Sequence, residues 1–526
     1  MQLISAHTVD PQRLARVGSL ARFAPTGAHM ACEGCQKQGD GWTSEVKTDM
    51  ALRGNLKVWE ALALSLGIMG PTIAMALDGT APAGLIGTKV PLAFLLALIG
   101  IALVGYGFVR LSRYISHAGS VYALVGVTLG PRTGFVGGWA LWGFYFVSVA
   151  ASSAAAALFG VAFLNSVGVH GSIPWLPLAL LSVALCWILN SRKIKIAARS
   201  LLVIGGISVT LVIILCVVIF VRVLNGSAPN GQKFTLSPFL PGGGITFGAI
   251  MAANVFGFLA FAGFEGTAAL GEETDNPKHD IPRALIYAIV LTGILYVMSM
   301  FAETLGFGLT AAGTKHFADS AAPLDGLAKE FVGSGLATVL SLGATSSAFA
   351  SALGAAAGAS RLMFAYSRDG WGPRAFSETS KHGEPTNALT AVVIGAATLS
   401  VIVYLTVTTS AVNEFFYIGT TGVLMVIVVY AVASFGALRF LFFSGVNRAP
   451  RWEAAVPLLG TVYLAYVLYK QFVPMPPFPY NVIPYFAIGW VLLAVALTLV
   501  RPAQTKHMGK ALTAEVQVGS DSEVAP

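Results

Sequence analysis

From about residue 57 onward the chain alternates long apolar runs with short polar or Pro/Gly-rich stretches. Runs of about 20 residues suit helices that cross a hydrocarbon layer about 30 Å thick. They centre near residues 69, 101, 148, 182, 211, 258, 296, 350, 398, 424, 461 and 490. The pattern predicts an all-α polytopic membrane protein with about twelve transmembrane helices. Two runs are interrupted. "SLGIMGPTIAMALDG" places Gly67, Gly70 and Pro71 in the middle of the first, and Gly257, Gly263 and Gly266 fall in the sixth. Gly and Pro at that depth free backbone groups that lipid cannot satisfy, so the backbone there is expected to be buried in protein or to line a polar cavity. The interruptions lie five runs apart, the pattern of an inverted five-plus-five helix repeat with helices one and six broken.

Composition narrows the class further. The 526 residues are 56% hydrophobic and 11% charged with mean hydropathy +0.74, against about 25% charged in an average soluble domain. A set of soluble domains is thereby excluded. The net charge is +8, and the basic residues cluster in alternate loops: Arg110, Arg113 and Arg132; Arg192, Lys193 and Lys195; Lys278 and Arg283; Arg361, Arg368 and Arg374; Arg439, Arg448 and Arg451. Positive-inside bias accounts for this without nucleic acid and puts both termini in the cytosol, with the protein multi-pass in the cell membrane. The expected organisation is a cytosolic, largely disordered tail over 1–56 with no signal-peptide core, a first five-helix repeat over 57–225 and a second over 246–436. Two additional helices follow over 437–500, and a cytosolic tail over 501–526. There is no Gly-rich phosphate loop ending in Gly-Lys-Ser/Thr, no HExxH and no Ser or Cys with an evident His partner, so neither an ATP-driven pump nor an intramembrane enzyme is expected. No cofactor and no metal is expected either. Cys32 and Cys35 form a lone CxxC without a second pair, which reads as incidental.

Several side chains stand out. Glu265 is a single carboxylate inside an apolar run, and a charge at the centre of a bilayer costs about 2.5–3.5 kcal/mol on insertion scales. It reads as a protonatable group that couples proton movement to binding, as a structural acid bonded between helices, or as an acid exposed in a cytosolic vestibule. Asp78, before Gly79, reads as a turn at a helix end, or as an acid that faces a vestibule and attracts cations. Trp142, Tyr145 and Phe146 share one helical face and either line a pocket or pack the core. Ser346 and Ser347 would supply hydroxyls to a sodium ion or pack helices. His117 reads as a solvated loop residue. Glu272, Glu273 and Asp275, followed by Lys278 and Arg283, form either a loop of state-dependent salt bridges or a solvated connector.

Three stretches in order resemble the amino acid–polyamine–organocation superfamily of permeases. "FAGFEGTAALGEETDNPKHDIPRA" (Phe261 to Ala284) is similar to its sixth-helix and loop signature. "HAGSVYALVGVTLGPRTGFVGGW" (His117 to Trp139) is similar to its loop between helices two and three, and "ASRLMFAYSRDGWGPRAFSETSKHGEPTNAL" (Ala359 to Leu389) to the end of its eighth helix. The resemblance implies a LeuT-like fold, alternating access and secondary active transport of an amino acid or related amine, with proton symport preferred over exchange and over sodium coupling. A transporter-like sensor without flux is the further alternative. The implied site lies between the broken helices. Backbone amides around Gly67, Ile68, Met69, Gly70, Pro71 and Thr72 would receive a substrate carboxylate, and carbonyls of Phe261, Ala262, Gly263 and Phe264 its ammonium group, as half-helix dipoles favour. The resemblance makes Phe261 a gate aromatic. The matching lid aromatic of an arginine/agmatine antiporter corresponds to Leu259, and the fifth-helix Lys of some relatives corresponds to the Gly205–Gly206 region, so coupling through that Lys is not available.

Overall fold

The computed structural model describes residues 57–115, 121–169, 173–192, 195–270, 274–380, 383–444, 449–506 and 508, without side chains at 195–202. The expectations for the tail 1–56 with its CxxC, for His117, for Glu272 and Glu273, and for most of 501–526 lie outside the described residues. Among the described residues, eleven helical stretches are long and apolar enough to cross a membrane, and Trp175–Ser191 is a shorter apolar helix between the third and fifth. Counted together they are twelve spans, and each predicted centre falls within one of them.

The first span, Val58–Leu77, divides into helices Val58–Met69 and Pro71–Leu77. Gly70 between them has φ 58°, a left-handed conformation that ends the first helix, and Pro71, with no N–H to satisfy, opens the second. The sixth span, Phe247–Leu270, divides likewise into the α-helix Phe247–Phe261 and a 3₁₀ stretch Phe264–Leu270. Extended Ala262 and Gly263 at φ 108° separate them. The other spans named below are the second (Thr80–Leu111), third (Pro131–Ser166), seventh (Pro277–Phe307), eighth (Ser334–Arg368), tenth (Ala411–Phe442) and twelfth (Ile483–Val500), with the fifth helix running Lys195–Leu224.

Small residues set the closest approaches. A Cβ at Gly263 would lie 2.5 Å from Ile68 Cγ2, so the two breaks touch. A Cβ at Gly358 of the eighth span would stand 3.0 Å from the Tyr145 ring of the third. The third span packs extensively on the eighth and tenth and forms the centre of the bundle, where small side chains let helix backbones approach.

Candidate functional site: two broken helices beside a small cavity

The two breaks are held together by side-chain hydroxyls. Ser65 donates to the Phe264 carbonyl (2.8 Å) and accepts from the Thr267 amide (2.9 Å), while the Thr267 hydroxyl donates to the Ala61 carbonyl (3.0 Å). Ser351 of the eighth span donates to the Ile68 carbonyl (2.7 Å), and Ser347 accepts from the Ile73 amide (3.4 Å). Backbone groups released by the broken helices are thus satisfied by protein, as a non-helical segment at membrane depth requires. Ser347 therefore engages the first break, whereas Ser346 donates to Leu342 of its own helix (2.9 Å).

Glu265 is fully buried beside the second break. One oxygen accepts from the Tyr145 hydroxyl (3.0 Å), and the other from the Tyr430 hydroxyl (2.5 Å) and the Gly263 amide (3.0 Å). The carboxylate consequently joins the third, sixth and tenth spans at one point.

A cavity of about 40 Å³ lies against the breaks, lined by Ile68, Met69 and Ala262 from the predicted set together with Leu259. Its polar groups come from elsewhere: Ser148 and Ser152 on the third span, Ser351 on the eighth, and Asp78. Asp78 does close the helix Pro71–Leu77, as a turn residue would, but it is 2% exposed and forms part of the cavity wall.

The remaining candidates are not among the residues that line this cavity. Phe261 is buried edge-on against Tyr296, and Phe264 packs against Phe108 and Tyr430. The predicted face of the third span divides in two. Tyr145 turns to Glu265, while Trp142 stacks on Phe146 and on Trp490 of the twelfth span. Thr72 is buried with its hydroxyl unpartnered. Ser148, Ser152 and Ser351 carry no signal in the sequence that separates them from the Ser that commonly packs apolar helices, whereas Asp78 reads there as a turn residue or a vestibule acid. Glu303 in the seventh span and Glu414 in the tenth are both fully buried. Each is, like Glu265, a carboxyl inside an apolar run, where a charge is costly.

Broken helices meeting beside a small cavity whose mainly apolar wall carries three serines and Asp78, in a bundle that is helical among the described residues, define a membrane transport protein. The chain belongs to the amino acid permease family, whose sequence profile it matches over residues 62–518. It is similar to the branched-chain amino acid permease BcaP of Lactococcus lactis, 27% identical over 353 residues that cover 64% of this chain and 74% of the relative. It is also similar to the low-affinity putrescine importer PlaP of Escherichia coli, 26% identical over 67% of this chain and 75% of the relative. An uncharacterized transporter of Mycobacterium tuberculosis is 28% identical over 423 residues, covering 79% of this chain and 87% of the relative. These relatives are permeases and transporters, and the chain is not an enzyme.

Proposed function

We propose that the protein carries an amino acid or related amine across the cell membrane by alternating access, as a proton symporter. The observation that carries this reading is the contact between two broken helices at Gly263 and Ile68, next to a cavity whose wall includes Ile68, Met69 and Ala262. A volume of about 40 Å³ holds only a few waters. An amino acid requires the two breaks and the third, eighth and tenth spans to move apart, which is the motion alternating access supplies. Among the relatives, one is named for branched-chain amino acids and one for putrescine, which supports a substrate with an amino group. In this reading the amides around Gly67 to Thr72 and the carbonyls from Phe261 to Phe264 take the two ends of the substrate. The repeats run over 57–225 and 246–436, helices over 437–500 pack outside them, and the basic loops and both termini face the cytosol.

Glu265 is the coupling group in this proposal. As a carboxylate it accepts from Tyr145, Tyr430 and the Gly263 amide. As a neutral acid it has its own proton to donate, which turns one tyrosine from donor to acceptor and resets the link between the third, sixth and tenth spans. The test is uptake of labelled amino acids and amines by the purified protein in proteoliposomes, with and without an inward proton gradient. Accumulation that collapses with the gradient supports symport. Uptake indifferent to the gradient but dependent on internal amine replaces symport by exchange, and binding without flux from folded protein sinks the transport reading in favour of a sensor.

A further inference from the structure

A second group of buried acids lies at the far end of the helix Pro71–Leu77. Tyr296, Met300 and Glu303 occupy positions i, i+4 and i+7 of the seventh span and so share one face. Gly79 presses on that face: a Cβ there would lie 2.6 Å from Met300 Sδ and 2.7 Å from the Phe317 ring. The contact sets the neighbouring Asp78 against the seventh span at Met300, which lies between Tyr296 and Glu303 on that face.

Polar groups inside a protein are ordinarily hydrogen-bonded. Here Asp78 Oδ1, both carboxyl oxygens of Glu303 and the Tyr296 hydroxyl are buried without a partner, and Tyr296 and Glu303 are fully buried. The groups around them are apolar or weakly polar: Met300, Phe317, the Phe261 ring at 5.1 Å from that of Tyr296, and Cys216 of the fifth helix, which lies within reach of the Glu303 charge. Nearby cations are engaged elsewhere. Lys89 donates to the Ser237 carbonyl (2.8 Å), and Lys315 pairs with Asp319 (2.5 Å). Two carboxyl groups buried together either take up protons or gain a cation between them. Protonating both acids brings two donors, whereas a primary ammonium brings three, matching the three unpartnered carboxyl oxygens. Asp78 is also the charged residue in the cavity wall, whereas Tyr296 and Glu303 lie outside that lining, so Asp78 is the member of the group that faces the space next to the breaks.

We infer that Asp78, Glu303 and Tyr296 form a binding site for a primary ammonium group, so that the substrate is a cationic amine with a positive charge beyond the one received at the broken helices. This rests on the transport reading for the cavity, and it names the substrate class. The ammonium would donate to Asp78 and Glu303, with the Tyr296 hydroxyl completing the shell.

The test compares binding of lysine with norleucine, and of cadaverine with n-pentylamine, to the full-length purified protein in detergent by titration calorimetry. Each pair differs chiefly in one ammonium group. A site built around buried polar groups rejects an analogue that lacks the matching group, so wild type is expected to favour the doubly aminated member of at least one pair by about tenfold or more. Asp78→Asn and Glu303→Gln, which keep shape and remove charge, are expected to bring that ratio close to unity, whereas Glu330→Gln, at an exposed acid, keeps it. Thermal unfolding of each variant establishes that it is folded. Wild type with no preference in either pair overturns the proposal, as does a preference that survives in both folded acid variants. If the variants instead abolish only stabilisation by added sodium chloride, or only a change of binding with pH, the site holds sodium or a proton and the ammonium assignment falls. Because binding is read without flux, failure of transport in liposomes sinks the transport reading and leaves this outcome readable.

Discussion

Glu265 shows what one residue reveals in a sequence and what it hides. A charge inside an apolar run was legible as exceptional, but its partners Tyr145 and Tyr430 are 120 and 165 positions away, and no local pattern pairs them. Replacing Glu265 with Gln keeps an oxygen acceptor and removes the titration. The expected result is a folded protein that has lost most of its gradient-driven uptake and the pH profile of that uptake; an unchanged profile in proteoliposomes would assign Glu265 to structure alone. Ser65 offers a purely structural counterpart. Ser65→Ala leaves the Phe264 carbonyl and the Thr267 amide short of a partner in a buried contact, and a buried group left unsatisfied costs about 1–3 kcal/mol. A lowered unfolding temperature in detergent is the readout.

Among elements, the glycines of the broken spans separate by role. Gly263 combines φ 108° with a Cβ position 2.5 Å from Ile68, whereas Gly67, inside the helix Val58–Met69, has nothing within 4 Å of its Cβ position. Gly263→Ala should destabilise the fold, by about 1–3 kcal/mol from backbone strain and more from the overlap. Gly67→Ala should be neutral or stabilising by up to about 1 kcal/mol, the gain of Ala over Gly in a helix. Thermal unfolding of the two variants side by side checks the contrast. The sequence showed all these glycines in interrupted runs, but not which of them meets another helix.

The short helix Pro323–Phe331, outside the spans, carries its own test. Asp325 there is 8% exposed and donor-bonded by Ser341, yet burial pushes its carboxyl from an ordinary 3.8 to about 6, against the lowering effects of that hydrogen bond and of Lys329. A carboxyl raised on folding binds its proton more tightly in the folded state, so its stabilising contribution is full below the unfolded value and is lost as pH rises through about 6. Wild type should therefore unfold at a higher temperature near the acid end of that window than at neutral pH. Asp325→Asn should flatten this part of the profile, and an equal slope in both proteins would remove Asp325 as the cause.

For the whole molecule, transport and sensing are separated by removing residues 1–56. A transporter without this tail should keep its uptake in proteoliposomes. Loss of a downstream response with uptake intact would give the tail a signalling role. The scale of the whole also explains the limits of reading site residues by helical face. The predicted face of the third span divides between Glu265 and an aromatic stack with Trp490, while the cavity takes Phe144, Ser148, Ala151 and Ser152.

The sequence by itself determined the membrane class, the succession of twelve spans and the two interruptions at Gly70–Pro71 and Gly263. Each follows from local chemistry: the length of an apolar run, the backbone freedom of Gly and the missing donor of Pro. Only the tertiary structure decided that the two breaks touch through Ile68, that Glu265 is bracketed by tyrosines of two other spans, and that Asp78 turns from a helix end into the cavity wall while its neighbour Gly79 meets the seventh span. Those relations join residues more than a hundred positions apart. In a bilayer, where every helix is apolar all round, it is the packing of helix against helix, and no periodicity along the chain, that selects which polar atoms meet.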